Sequence, residues 1–190
     1  MSGRLTGIKK DYCGTVLPTN VHGQAGVAFE AVLKQDGFEI SSNATGPDIE
    51  RFGAEVKTRK IGSTSAQTIG RLSASNIKTT PFEFTSICKK IQQQIRAKTD
   101  DSVYIGNTIV ECSVYDFSSK HIQDLLKEAY EVCRNKLIAG DTSNYIHGTK
   151  WGFLERENEK KAYQFRISAS AFSQLERMAK AAKNYNKFFE

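Results

Sequence analysis

The stretch Pro47-Asp48-Ile49-Glu50-Arg51-Phe52-Gly53-Ala54-Glu55-Val56-Lys57 places Asp48, Glu55 and Lys57 close together in the chain. Side chains two apart on a strand share a face, so Glu55 and Lys57 are expected to project together, with Ala54, Val56 and Thr58 facing the other way. Pro47 and Phe52-Gly53 bracket a short loop, which predicts Ile49 in a first strand delivering Asp48 beside a second strand, a β-hairpin. The chemistry such a face supports is specific. Mg²⁺ binds oxygen ligands octahedrally and keeps several waters, so one or two carboxylates and a substrate phosphate hold it. Asp48 and Glu55 are the candidate carboxylates, and the Val56 carbonyl is a further candidate ligand. The ion acidifies a bound water and stabilises charge on phosphate oxygens, and Lys57 is placed to orient the attacking hydroxide. Metal-dependent phosphodiester hydrolysis needs these groups. The competing reading of a Glu-x-Lys strand is an ordinary solvated charge pair.

A chain of 190 residues with 39% hydrophobic content is long enough to bury one substantial core. Lys and Arg number 27 against 21 Asp and Glu, giving +6, and the pI is near 9.1. That balance suits a polyanionic partner, although it also serves ordinary solubility. No apolar run approaches the roughly 18 residues of a membrane span, and the start of the chain lacks the apolar segment of a signal peptide, so a cytoplasmic protein is expected. Cys13, Cys88, Cys112 and Cys133 are scattered, with no Cys-x-x-Cys pair, which argues against structural zinc and for small core residues in a reducing compartment. His22, His121 and His147 are equally dispersed, with surface or capping roles, or contact with DNA phosphates, open to them.

Ahead of the central stretch, Ala25, Phe29, Val32 and Leu33 recur at helical spacing over residues 21–35, and Gly37 supplies a stop. Glu30 sits on this segment beside Phe29. It is either an exposed residue at the polar edge of an amphipathic helix or a carboxylate that needs a partner such as a metal site. Residues 62–76 are rich in Ser, Thr, Gly and Gln and predict a long loop, mobile or reaching a DNA groove, with Arg71 as a candidate contact. A helix is predicted over residues 85–98 from Ile87, Ile91 and Ile95, carrying Lys89 and Lys90. Strands are predicted around the Gly106-Asn107 turn, and a long helix over residues 119–139 with Leu125, Leu126, Ala129, Val132, Cys133 and Leu137 in the core. A second hairpin, residues 151–157 and 162–168, presents Gln164 and Arg166 on one face and Tyr163, Phe165 and Ile167 on the other, making Arg166 a candidate base or phosphate reader. Residues 169–189 are predicted to close the chain as a basic amphipathic helix.

Taken together, the central stretch resembles the PD-(D/E)XK nuclease core, and Gly26-Val27-Ala28-Phe29-Glu30 resembles the first-helix motif of the MutH group. That group includes the strand-nicking endonuclease of mismatch repair and related type II restriction enzymes. The resemblance covers roughly residues 21–170, continuing through Thr85-Ser86 and a Lys-bearing helix, the helix at 125–141 and the strand pair at 146–169. It implies an α/β mixed, restriction-endonuclease-like fold: a central mixed sheet flanked by helices, with two lobes forming a DNA cleft in a single domain. Residues 1–20 would be an N-terminal arm, 21–100 the catalytic lobe, and 101–190 a second lobe with the DNA-reading hairpin. It further implies an active site of Glu30, Asp48, Glu55 and Lys57, with Lys90, or Lys89 one position away, as an additional lysine. Arg166 matches a base-contacting arginine. Ser168 stands where the nicking enzyme has a lysine, and the distal C-terminal segment is shorter.

The expectation is therefore a Mg²⁺-dependent endonuclease for double-stranded DNA, with Mn²⁺ able to substitute. It would be sequence-specific, of restriction or nicking type, leaving 5′-phosphate and 3′-hydroxyl ends, and would work as a monomer or homodimer in the cytoplasm of a bacterial or phage-infected cell. Two alternatives remain: a structure-specific nuclease such as a dimeric junction resolvase, and a non-catalytic DNA-binding module on a vestigial core. Cleavage of plain linear duplex at one sequence separates the first two.

Overall fold

A computed structural model describes residues 11–18, 24–42, 46–101, 107–157, 162–183, 185 and 188. In chain order the elements are β1 (Val16–Leu17), α1 (Gln24–Gln35), β2 (Ala54–Lys60), β3 (Gln67–Ser73), α2 (Ala74–Thr79), α3 (Phe84–Ile87), β4 (Gln93–Asp100) and β5 (Asn107–Asp116). They continue with α4 (Lys120–Ile138), β6 (Tyr145–Thr149), β7 (Gly152–Arg156), β8 (Ala162–Ile167), α5 (Ala169–Met178) and β9 (Lys180–Ala182). The class is mixed α/β, as expected. Two compact units are assembled from interleaved segments, residues 1–63, 93–115 and 181–190 in one and 64–92 and 116–180 in the other. The expected division ran between residues 100 and 101.

The first unit is built on a mixed sheet of order β1-β5-β4-β2, with β9 also paired to β5. β2 runs parallel to β4, with Glu55 opposite Gln94 and Lys57 opposite Arg96, while β1 is antiparallel to β5. Alternation sorts the two faces. Ala54, Val56, Ile95 and Ala97 enter a core with Phe29 and Leu33 of α1, Ile49, Ile109, Tyr185 and Phe188. Phe29 and Leu33 are fully buried, each stabilising the docking of α1 by roughly 1.5–3 kcal/mol. The helix ends where Gly37 takes a left-handed φ of 98°, as its position predicts.

The second unit carries an antiparallel sheet of order β3-β8-β7-β6. α4 packs on β6 and β7, capped by Ser119, whose Oγ accepts from Ile122 N. Leu126, Ala129, Cys133 and Leu137 are buried as expected, whereas Leu125 and Val132 are only half-buried. The hairpin of β7 and β8 forms as predicted, with Tyr163, Phe165 and Ile167 buried. Of the four cysteines, none forms a disulfide. Cys88, Cys112 and Cys133 are buried and Cys13 is exposed.

Four expectations are corrected. Residues 62–76 are not a loop: β3 pairs with β8, and its apolar alternation is hidden by a register shift between Thr68 and Gly70. A Cβ on Gly70 would collide with the Ile87 carbonyl oxygen, so glycine is what lets the α3 turn close over β3. Residues 85–98 are not one helix. α3 is a single turn, Lys89 and Lys90 lie in the turn that follows, and residues 93–100 are strand β4. The i, i+4 spacing of Ile87, Ile91 and Ile95 mimics a helix, but pairing with β2 decides the backbone. Residues 169–189 are not one helix either: α5 stops at Met178 and β9 follows, with Tyr185 and Phe188 buried in the first unit's core. The fourth correction concerns the hairpin ahead of β2, where, among the described residues, one isolated antiparallel bridge forms, between Ile49 and Ala54. The Gly106 side of the predicted turn, His22 and most of the N-terminal arm lie outside the described residues.

Candidate active site

Residues 48–57 fold from the turn outward. Glu50–Phe52 make one 3-10 turn, closed by Gly53 at φ 59° and ψ 30°, the left-handed region glycine occupies without penalty. Ile49 and Ala54 exchange backbone hydrogen bonds of 2.7 and 3.1 Å across it. Upstream, Ser41 N donates to the Asp48 carbonyl at 2.7 Å and Ser41 Oγ to Glu50 Oε1 at 2.8 Å. Held this way, Asp48 turns its carboxylate back onto β2, where Oδ2 accepts from Val56 N at 2.7 Å. A side chain thus takes the bond a second strand would have supplied, which is why the hairpin stops at a single bridge.

On β2, Glu55 and Lys57 share a face as the alternation predicts, and Lys57 Nζ donates to Glu55 Oε1 at 2.8 Å. Their settings differ: the Glu55 side chain is 3% exposed and that of Lys57 28%. α1 brings Glu30 into the field of the same groups. Burial pushes the Glu30 carboxyl above the usual range, the Asp48 charge adds to this, Lys34 opposes it, Glu55 raises it further and Lys57 again opposes. Glu30 itself is neither fully exposed nor buried.

The chemistry of these donors is of the type Mg²⁺ takes. All three groups are hard oxygen ligands, and their mutual repulsion at Glu30 is what a divalent cation would relieve. Among the described residues no group of three or more His, Cys, Asp or Glu is arranged to hold a metal ion. The carboxylates of Asp48 and Glu55 engage Val56 N and Lys57 instead. Mg²⁺ needs only one or two carboxylates beside water and phosphate.

The raised Glu30 carboxyl has a consequence for stability. A carboxylate whose folded-state pKa exceeds its unfolded value destabilises the fold when ionised, and the penalty disappears as pH falls below the unfolded value. Glu30→Gln is expected to melt about 1–3 °C above the parent near neutral pH, with the gap closing in acid. A variant that melts below the parent at neutral pH would show that the repulsion at Glu30 is not felt.

The remaining candidates belong to the second unit. Lys89 is exposed and Lys90 half-buried in the turn after α3, where Lys90 N donates to the Ile69 carbonyl at 3.2 Å. Arg71 on β3 is ion-paired through Nε with Glu157. Arg166 on β8 is clamped, donating from Nη1 to Glu155 Oε2 at 2.5 Å and from Nη2 to the Ala66 carbonyl at 2.8 Å. Ser168 is the N-cap of α5, its Oγ accepting from Ala171 N at 3.3 Å.

Two residues beside the motif escaped the sequence reading. Gln94 and Arg96 sit opposite Glu55 and Lys57 in a parallel pairing, which puts all four side chains on one sheet face, away from Ile95 and Ala97. They are 0% and 5% exposed, and Arg96 Nη1 donates to Gln94 Oε1 at 2.6 Å. The signal was present as the alternation Gln94-Ile95-Arg96-Ala97-Lys98, overlaid by the helix-like isoleucine spacing.

No helix among the described residues is long and apolar enough to cross a membrane. No known family's sequence profile matches the chain, and no curated protein matches it. Among solved structures, the chain is similar to that described as "Restriction endonuclease MvaI-cognate DNA substrate complex", at 10% identity over 94% of each chain and a TM-score of 0.45.

Proposed function

We propose that this protein is a divalent-cation-dependent endonuclease for double-stranded DNA with a restriction-endonuclease-like PD-(D/E)XK core of the kind found in the MutH group. The observation that carries the reading is the Asp48 carboxylate fastened to Val56 N next to the Glu55–Lys57 pair on the same strand, with the charges of all three felt at Glu30 of α1. In this reading Asp48 and Glu55 hold Mg²⁺, or Mn²⁺ in its place, with the Val56 carbonyl as a further ligand and Glu30 supporting the ion or its water shell. The bound ion supplies Lewis acidity towards a phosphate oxygen and an acidified water. Lys57, tethered to Glu55 and reaching partly into solvent, orients the attacking water and takes up charge beside the phosphate. Asp48 is pinned by Val56 N, so its position is set by the strand and not by the substrate. Attack on phosphorus with departure of the 3′ oxygen leaves 5′-phosphate and 3′-hydroxyl ends. Sequence-specific cutting of both strands, or nicking of one, completes the proposal. The additional lysine, Lys90 or Lys89, is part of it, as are Arg71, Arg166 and Ser168 as DNA contacts and action as a monomer or homodimer.

Incubation of the purified protein with methylated and unmethylated plasmid in Mg²⁺, followed by sequencing of fragment ends, tests it. Discrete ends sharing one short motif support the reading. Intact DNA with Mg²⁺ and Mn²⁺ alike counts against it.

The clamp on Arg166 makes a separate expectation. Reading a base would require the guanidinium to leave Glu155; if it does, Arg166→Ala is expected to relax base preference at one position by roughly 1–3 kcal/mol. Uniform weakening across sequences in a binding-selection experiment would instead mark a phosphate contact.

A further inference from the structure

Arg96 is a charged side chain only 5% exposed, and a buried cation is costly unless neighbouring groups compensate it. Its surroundings follow from the strand pairing. β4 lies about 4.8 Å from β2, Arg96 is level with Lys57, and Gln94 is level with Glu55. Gln94 accepts from Arg96 Nη1 at 2.6 Å, so the guanidinium is fixed by a neighbour on its own strand. The face therefore carries two cations at paired positions, Arg96 buried and Lys57 28% exposed on its side chain. Like charges repel, and the more exposed of the two has room to turn aside. Lys57 is found on Glu55 Oε1.

We propose that Arg96 is a positioning residue of this site: it offsets the carboxylate charge of Glu30, Asp48 and Glu55, weakening divalent-cation binding to a reversible level, and it confines Lys57 to Glu55. The inference rests on the nuclease reading of the same residues. A fixed positive charge within several ångströms of a divalent ion opposes its binding, and removing that charge from a site of intermediate dielectric is expected to tighten the ion about tenfold. Release of Lys57 from its repulsive neighbour is expected to slow cleavage roughly 10- to 100-fold, the scale of outer-shell substitutions at metal sites.

The experiment uses the full chain as parent, Arg96→Met, Arg96→Gln and Arg96→Lys. Mn²⁺ affinity is measured without DNA by electron paramagnetic resonance of free Mn²⁺. Duplex affinity is measured in chelator, cleavage in a single turnover at saturating Mn²⁺, and melting temperature as a control for folding. Tighter Mn²⁺ binding in a neutral variant, unchanged duplex affinity, slower cleavage and return of both changed quantities in Arg96→Lys support the proposal. Two neutral variants are included so that failure of one to fold leaves the other to decide. Unchanged Mn²⁺ affinity in a folded neutral variant overturns it, as does failure of Arg96→Lys to restore the parent values, and as does absence of Mn²⁺ binding in the parent. A parallel fall in duplex affinity also overturns it, making Arg96 a substrate contact. A parent that binds Mn²⁺ and shows the tightening but cuts no DNA would overturn the nuclease reading and the confinement of Lys57 as a catalytic effect, while leaving the charge offset standing.

Discussion

Asparagine in place of Asp48 is expected to lower divalent-cation-dependent cleavage at least about a thousandfold, about 4 kcal/mol of barrier, while the protein stays folded and still binds duplex DNA. The structure separates two jobs of this side chain. One is local: Oδ2 accepts from Val56 N and fastens the turn to β2 beside the Ile49–Ala54 bridge. An asparagine carbonyl oxygen accepts the same bond, so the strand entry survives. The other job is charge, and asparagine has none to offer a cation that selects ionised oxygen ligands. Circular dichroism, Mn²⁺ titration and single-turnover cleavage of the same preparation check it. Cleavage within tenfold of the parent would remove Asp48 from the proposed chemistry, and loss of folding would show that its structural job dominates. Alanine is the informative control: it deletes both jobs, and leaving Val56 N–H without its acceptor is expected to cost a further 1–3 kcal/mol of stability.

The second large effect is expected at Lys57. Lys57→Ala should reduce cleavage about 100- to 1000-fold, the range for removing one preorganised charge-stabilising group, with duplex affinity changed little. The structural side of this substitution is mild, because the Lys57 side chain is partly exposed and its tie is to a neighbour on its own strand. Its removal does leave the nearly buried Glu55 carboxylate without that ion pair, so some loss of melting temperature is expected, recoverable by divalent cation if Glu55 binds one. That recovery distinguishes the proposal from an ordinary surface pair, for which added Mg²⁺ would do nothing. Lys57→Arg helps further. A guanidinium keeps the charge but is planar and bulkier, so stability should return while cleavage stays depressed.

What the sequence by itself determined is local. The alternation of Ala54-Glu55-Val56-Lys57 put the carboxylate and the ammonium on one face, and the structure has them there, hydrogen-bonded. The apolar rows of α1 and α4, the stop at Gly37 and the β7–β8 hairpin were equally legible, because short-range periodicity and stop signals act within a few residues. Glu30, Asp48 and Glu55 were nameable as a set only through a family resemblance, since nothing in local spacing says that a helix and a strand will meet.

What only the tertiary structure decided is pairing. The isoleucines of residues 87–95 satisfy a helix as well as a strand, and the parallel ladder with β2 selected the strand, because it buries Ile95 and Ala97 in the first unit's core while matching a full row of backbone groups. The same choice carried Gln94 and Arg96 to the face of Glu55 and Lys57, a juxtaposition no window of sequence contains. Residues 67–73 became strand β3 through pairing with β8 despite weak apolar patterning, and the end of the chain left its helix to bury Tyr185 and Phe188. In each case burial and ladder hydrogen bonds with residues distant in sequence outweighed a local preference worth a few tenths of a kcal/mol per residue.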